Sequence, residues 1–328
     1  MLQAVIDAVI PTFRPDEKLF SILSALEAQT VPLRRIRIIN TEENAFRRLL
    51  EKHRQTTESF LTAHAKVTLT HIRADEFDHG GTRDMGLKQC EGATHVLFLT
   101  QDAVPADETL TEKLLAPFEA DEKTAVSYAR QLPAPDASEA ERFSRSFNYP
   151  ARSRVKTQED VRELGIKTYF CSNVCALYDT RIYAGQGPFV SPVIFNEDMI
   201  YAGCAVQGGF HIAYAADARV IHSHNYSASQ QLRRNFDLGV SQADHPEVFA
   251  GLSSEGEGVR YVRAVLSHLL KNGAAKEMPG FILTCAARLI GYRLGKNYRR
   301  LPAGRIAKLT SNPAYWKHAG KEQRKTTK

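Results

Sequence analysis

The sequence predicts an α/β protein: a mostly parallel sheet with helices on both faces, followed by a basic helical region at the C-terminal end. Three observations carry this. Apolar β runs and helical patterns alternate through the first hundred residues. The chain is 328 residues long and 43% hydrophobic, enough for one large or two modest domains with real cores. The charge divides unequally: residues 259–328 hold 16 Lys and Arg against 2 acids, and residues 1–258 hold 27 against 35, so a body near −8 carries a tail near +14. The expected division is 1–250 and 251–328, with GLSSEGEG near residue 255 as the clearest linker.

The elements follow in order. Ala4–Phe13 is an apolar β run closed by Pro and Thr, and Asp16 opens a helix marked by Leu19, Ile22, Leu23 and Leu26. Ile36–Asn40 is a second strand, Glu43–Ala65 a second helix and Val67–Ile72 a third strand. Thr82–Cys90 is a helix entered by a Gly-Gly turn, and His95–Thr100 is a fourth strand with Asp102 just past its end. In such sheets ligands gather at the carboxyl ends of the strands, where Thr12, Asn40 and Asp102 fall. Residues 132–167 read as loop with short helices; Thr168–Tyr178 resumes as a strand, and GQGPFVSP leads to a helix over Asn196–Gln207. HIAYAADARVIH reads as a strand pair, and from Ser229 the pattern is helical, with basic amphipathic stretches at Val259–Lys271 and Phe281–Lys296. The polar KHAGKEQRKTTK is a frayed end, and Tyr315 with Trp316 either anchors at an interface or staples the tail to the body.

Composition excludes several classes. Mean hydropathy is −0.33, and no apolar run reaches the roughly 18 residues that would span a bilayer. The opening MLQAVIDAVIPTF lacks a positive n-region and a small-residue cleavage site, so a cytoplasmic protein is expected. Five scattered cysteines with no CxxC argue against a disulfide framework or zinc knuckle. A basic excess confined to one end suggests a tail docking on an anionic surface, and the absence of an RNP, zinc or helix-turn-helix motif favours membrane lipid over nucleic acid. The same apolar stripes also suit packing on the body or on a second subunit, which would make a homo-oligomer.

The series VIPTF, AQT, FDHGGTRD, FLTQDAVP, SNVCALY, NEDMIYAGCAVQGG and VIHSHNY, spread over roughly residues 4 to 245, resembles glycosyltransferase family 2 with its Rossmann-like GT-A nucleotide-diphospho-sugar transferase fold. FDHGGTRD together with TQDA is similar to the bacterial rhamnosyltransferase branch that uses dTDP-L-rhamnose. The resemblance implies an inverting transferase that extends a polysaccharide or lipid-linked glycan in cell-surface synthesis (O-antigen, capsule or cell wall), peripheral on the inner face of the plasma membrane. A nucleotidyltransferase would share the sheet and a metal acid, but VIPTFRPDEK lacks the Gly-rich loop that class carries near its first strand.

What the resemblance implies can be placed residue by residue. A nucleoside diphosphate leaving group calls for a hard divalent cation, Mg²⁺ or Mn²⁺, on carboxylate oxygen. Asp102 is that ligand by position, although Thr100-Gln101-Asp102 lacks the first acid of the family's Asp-x-Asp. His222 and His224, at i and i+2 on a strand, point the same way, so either could reach the site. Asp198, the second acid of Asn196-Glu197-Asp198, takes the general-base role, with Glu197 as the alternative. Asp78, Gly81 and Arg83 sit where a helix N-terminus and a guanidinium would meet a phosphate. Thr12, Arg14 and Glu42 follow strands one and two, where the family binds base and ribose, and Gln101 joins them on the donor side; Ser172, Asn173 and Glu197 line the acceptor boundary.

Overall fold

The structure, a computed structural model, describes residues 4–317 except 225, 253 and 254. The linker GLSSEGEG lies partly, and the end KHAGKEQRKTTK almost wholly, outside the described residues.

In chain order the elements are β1 (Ile6–Phe13), α1 (Lys18–Glu27), β2 (Leu33–Thr41), α2 (Glu43–Lys52), α3 (Thr57–Ala63), β3 (Val67–Ile72), α4 (His79–Lys88), β4 (His95–Leu99) and β5 (Val104–Pro105). There follow α5 (Leu110–Ala120), β6 (Thr124–Leu132), α6 (Glu139–Asn148), β7 (Arg154–Lys156), α7 (Val161–Leu164), β8 (Cys175–Asp179), α8 (Thr180–Gln186), α9 (Glu197–Gln207) and β9 (His211–Ile221). The helices α10 (Ala228–Asp244), α11 (Pro246–Phe249), α12 (Glu255–Lys271), α13 (Met278–Lys296) and α14 (Ala303–Leu309) complete the described chain.

One sheet runs β3-β2-β1-β4-β8-β6-β9-β5, with β7 also on β9. β3, β2, β1 and β4 are parallel, and β8 is antiparallel between β4 and β6. The central parallel strands β1 and β4 are buried on both faces, which is why they read as continuous apolar runs rather than alternating ones. Ile6, Ala8 and Ile10 of β1 face the layer of α1, α2 and α5, while Val9 and the β4 residue Phe98 face the layer holding α9. The chain moves out from β1 to β2 and β3 and returns to β4 on the other side. The carboxyl ends of β1 and β4 therefore flank the point where strand order reverses, the place where open α/β sheets bind ligands.

Four expectations are corrected by the structure. The single helix over Glu43–Ala65 breaks into α2 and α3, because Arg54 takes a positive φ of 56° and Thr56 and Ser59 form a reciprocal N-terminal cap. The Gly-Gly turn is already helix: α4 starts at His79 behind the N-cap Asp78. A Cβ on Gly80 would lie 2.1 Å from the Val190 carbonyl oxygen, so glycine there serves close packing. Residues 165–169 form a 3₁₀ turn and the strand expected from Thr168 begins only at Cys175, because Asn173 uses its polar groups on Glu197, Asp198 and Tyr178. HIAYAADARVIH is one strand with an irregularity, where Ala129 and Arg130 pair with Ala215 and Arg219.

The basic region is folded against the rest of the chain. α12 packs on α6, burying Val265 and Leu269, and α13 packs on α10 so closely that a Cβ on Gly291 would lie 2.2 Å from the Leu232 carbonyl oxygen. Trp316 and Tyr315 pack with Tyr298 against Phe236 and Val240, the stapling arrangement. Val259, Leu270, Ile282, Leu283, Leu289 and Ile290 remain exposed on α12 and α13.

Candidate active site

At the end of β1 the hydroxyl of Thr12, which is 3% exposed, donates to Asn40 Oδ1 at 2.8 Å, and the Asn40 amide meets His71 Nδ1 at 2.9 Å. Arg14 and Glu42, both at positive φ (49° and 69°), close a two-bond ion pair at 2.8 and 3.1 Å, with the Arg14 guanidinium 4.9 Å from the exposed Phe13 ring. Thr100 stands where the missing first acid would be, and Gln101 is the middle residue of the triplet. Its amide both accepts from Phe13 N at 2.8 Å and donates to Phe13 O at 2.9 Å, extending the strand contact across the switch point as a backbone peptide would.

One residue further, Asp102 meets two imidazoles. His224 Nε2 lies 3.1 Å and His222 Nε2 3.5 Å from its carboxylate, and one ligand atom from each residue falls within 4.8 Å of the others. Burial alone would raise the Asp102 carboxyl, but hydrogen bonds from His222 and His224 outweigh it and hold the group ionised well below the usual range. Burial pushes His222 down, toward the neutral ring that a metal ligand requires. A carboxylate oxygen with two imidazole nitrogens is a donor set able to hold a divalent cation, and the nitrogens suit Mn²⁺ better than the oxygen-seeking Mg²⁺.

At the N-terminus of α9 two acids are driven apart. Glu197 is 5% exposed, 3.1 Å from Arg83 and hydrogen-bonded by Asn173 Nδ2 at 3.1 Å. Burial would raise its carboxyl, but the Arg83 charge and these bonds bring it down. Asp198 goes the other way: burial first, and the Glu197 charge second, raise it well above the ordinary carboxylate range despite the Asn173 N–H at 3.0 Å. Paired carboxylates with opposed shifts mark the higher one as the group that exchanges protons near neutral pH.

Side-chain contacts and the Ser172–Asn173 peptide link join these clusters. Asp102 meets His222, His222 Nδ1 meets Gln131 Oε1 at 2.9 Å, Gln131 donates to Ser172 Oγ at 3.0 Å, and the adjacent Asn173 holds both Glu197 and Asp198. Asp102, His222, His224, Ser172, Asn173, Glu197, Asp198 and Arg83 thus come together, while Thr12, Arg14, Glu42 and Gln101 line the neighbouring strand ends. Asp78 is turned into the fold: one carboxylate oxygen accepts from Gly81 N at 2.7 Å and the other from Val193 N at 2.8 Å. Three residues were not singled out from the sequence: Gln131, Arg145 and Arg234. Arg234 is half-buried, its guanidinium 4.8 Å from the Tyr226 ring and 5.2 Å from the Phe195 ring, with no carboxylate in ion-pair range among the described residues. Tyr226 in turn packs on His224. Nothing in Arg233-Arg234 distinguishes this arginine from its exposed neighbour without the fold.

A carboxylate–imidazole cluster at the switch point of a mostly parallel sheet, linked to a pair of acids at a helix N-terminus, suits a GT-A glycosyltransferase. Sequence comparison supports the same class and gives the family: residues 7–185 match the model of glycosyl transferase family 2, and the chain belongs to that family. It is 39% identical to the O-antigen chain rhamnosyltransferase WbaN of Salmonella anatum over 75% of this chain and 78% of that protein. It is 33% identical to the O-antigen chain rhamnosyltransferase RfbN of Salmonella typhimurium over 95% of this chain and 96% of that one. The fold is shared with the mannosyltransferase PcManGT of Pyrobaculum calidifontis, solved with GDP-Man and Mn²⁺, at a TM-score of 0.60 and 12% identity over 92% of this chain and 89% of that one.

Proposed function

We propose that the chain is an inverting rhamnosyltransferase that moves L-rhamnose from dTDP-L-rhamnose to a growing, lipid-linked polysaccharide. The observation that carries the reading is the series of side-chain contacts, with the Ser172–Asn173 peptide link, that joins the Asp102–His222–His224 cluster to Asp198. The two rhamnosyltransferase relatives support the sugar.

In this reading Asp102, His222 and His224 hold Mn²⁺ or Mg²⁺, which when bound neutralises the charge developing on the leaving diphosphate. Arg234, set over the Tyr226 and Phe195 rings, offers its guanidinium donors to the same anion. The donor's base and ribose lie over the ends of β1 and β2, against Phe13, Thr12 and the Arg14–Glu42 pair, and Gln101 holds that edge in place. Asp78 and Gly81 shape the wall by fixing residues 191–193 to α4. The acceptor enters beside Ser172, Asn173 and Glu197. Its hydroxyl oxygen attacks the anomeric carbon, the carbon–oxygen bond to the diphosphate breaks with the electron pair leaving on dTDP, and the hydroxyl proton passes to the Asp198 carboxylate. Glu197, ion-paired with Arg83, stays ionised and keeps Asp198 basic through its charge.

The region 251–328 is assigned to the anionic inner face of the plasma membrane. No helix among the described residues is long and apolar enough to cross a membrane, so any such contact is peripheral. Leu270, Ile282, Leu283, Leu289 and Ile290 are exposed between basic residues and can enter a headgroup layer. The experiment for the donor is a thermal-shift and hydrolysis panel of dTDP-, UDP- and GDP-sugars with and without Mn²⁺. Selective stabilisation by dTDP-L-rhamnose with Mn²⁺ is expected, and an equal or larger response to UDP- or GDP-sugars overturns the donor assignment.

A further inference from the structure

We propose that Gln131 is a positioning residue of the cation site: it fixes the tautomer and ring orientation of His222 and ties that histidine to the loop holding Asp198. The inference rests on the reading of Asp102, His222 and His224 as cation ligands.

Gln131 lies near the end of β6 and is 3% exposed. Its amide can be read in one sense only. The guanidinium of Arg145 carries donors alone, so the Gln131 atom it meets is the oxygen, Oε1. Arg145 is itself held by Glu141, with Nε 2.7 Å from the carboxylate and both side chains 16% exposed. The amide nitrogen therefore faces Ser172 Oγ, at 3.0 Å. His222 Nδ1 lies 2.9 Å from the same Oε1, and an oxygen acceptor there requires a proton on Nδ1. With Nδ1 keeping its proton on Oε1, Nε2, 3.5 Å from the Asp102 carboxylate, is the nitrogen whose proton a cation replaces. The opposite tautomer sets the Nδ1 lone pair against Oε1. Turning the amide to relieve that would press its NH₂ group on Arg145.

The chain Glu141–Arg145–Gln131 thus selects the tautomer that presents Nε2 to a cation. The main chain is held as well: His222 N donates to the Leu132 carbonyl at 2.9 Å, one residue beyond Gln131. Partners of this kind, one shell out from the ligands, typically change metal affinity roughly 10–100-fold when removed. The amide's other end reaches Ser172, next to the Asn173 that holds both acids, so a shift of His222 is felt at the base.

The test compares Mn²⁺ binding by electron paramagnetic resonance titration in the wild type, Gln131→Leu and Gln131→Glu, with no sugar donor present. Gln131→Glu keeps an oxygen acceptor toward both Arg145 and His222, and its affinity is expected within about threefold of wild type; Gln131→Leu is expected to bind roughly 10–100-fold more weakly. Should Gln131→Leu fail to fold, two-bond ¹⁵N–¹H spectra of histidine-labelled, metal-free wild type decide the point, with His222 assigned by difference from His222→Gln. A protonated Nδ1 supports the inference, and a ring protonated on Nε2 alone overturns it. Unchanged Mn²⁺ affinity in folded Gln131→Leu, or a loss in Gln131→Glu as large as in Gln131→Leu, also overturns it while leaving the cation site intact. A wild type that binds no Mn²⁺ overturns the cation site itself, and the inference with it.

Discussion

Asp198 carries two consequences that can be separated. As the base it acts on the acceptor proton and barely touches the diphosphate, so Asp198→Asn is expected to lower kcat by roughly 10²–10⁴-fold with little change in donor affinity, read by steady-state kinetics and donor titration. The wild-type rate should rise with pH through the raised Asp198 pKa, since only the ionised carboxylate accepts the proton. Stability should move oppositely. A folded-state pKa above the unfolded one means the folded state binds more protons between the two values, and folding stability falls as pH rises across that window. Asp198→Asn removes this pH dependence, so its Tm relative to wild type should be higher at pH 8 than at pH 5. A pH-independent cost adds to this, because the amide can accept only one of the two N–H groups, of Asn173 and Met199, that the carboxylate accepts. A Tm difference that does not change between pH 5 and pH 8 would contradict a raised Asp198 pKa. Asp102, His222, His224 and Asp198 were legible because their spacing sits in recognisable motifs. Gln131 and Arg145 were not, because their roles arise only when β6 and α6 bring them to His222.

Helices α10 and α13 show what an element can conceal in sequence. Gly291 and Gly295 look like weak points in a helix, yet a Cβ on them would come within 2.2 and 2.1 Å of the carbonyl oxygens of Leu232 and Phe236. Because the obstacle is backbone, Gly291→Ala is expected to destabilise by about 1–3 kcal/mol in urea unfolding. Gly280→Ala, on the same α13 with nothing within 4 Å of its Cβ, should be neutral or stabilise by up to about 1 kcal/mol. Equal effects at the two positions would contradict the close α10–α13 packing. Periodicity gave both long basic helices to within a few residues. It failed at Glu43–Ala65 because the Thr56–Ser59 cap is local chemistry laid over a continuing apolar pattern. It also passed over β6, whose TAVSYARQL is broken by the half-buried Arg130, bonded to the Tyr149 carbonyl, and by Gln131, buried at the site.

Across the whole molecule the charge division was plain in the sequence, and the structure gives it a shape: most of the exposed large apolar side chains lie on α12 and α13, within the basic region. If that face meets anionic lipid, the protein should co-sediment with anionic but not zwitterionic vesicles and release as salt rises, because screening shortens the attraction. Equal sedimentation with both vesicle types, or with neither, would leave the face to a second copy of the chain. The parallel half of the sheet was legible from its apolar runs, whereas the antiparallel β8 and the long β9 depend on contacts far apart in the chain. The central claim, rhamnosyl transfer dependent on a cation held at Asp102, is tested most directly by following rhamnose from dTDP-L-rhamnose to a lipid-linked acceptor. The account expects transfer with Mn²⁺ in wild type and its loss both on chelation and in folded Asp102→Asn. Turnover that survives either chelation or Asp102→Asn would contradict it.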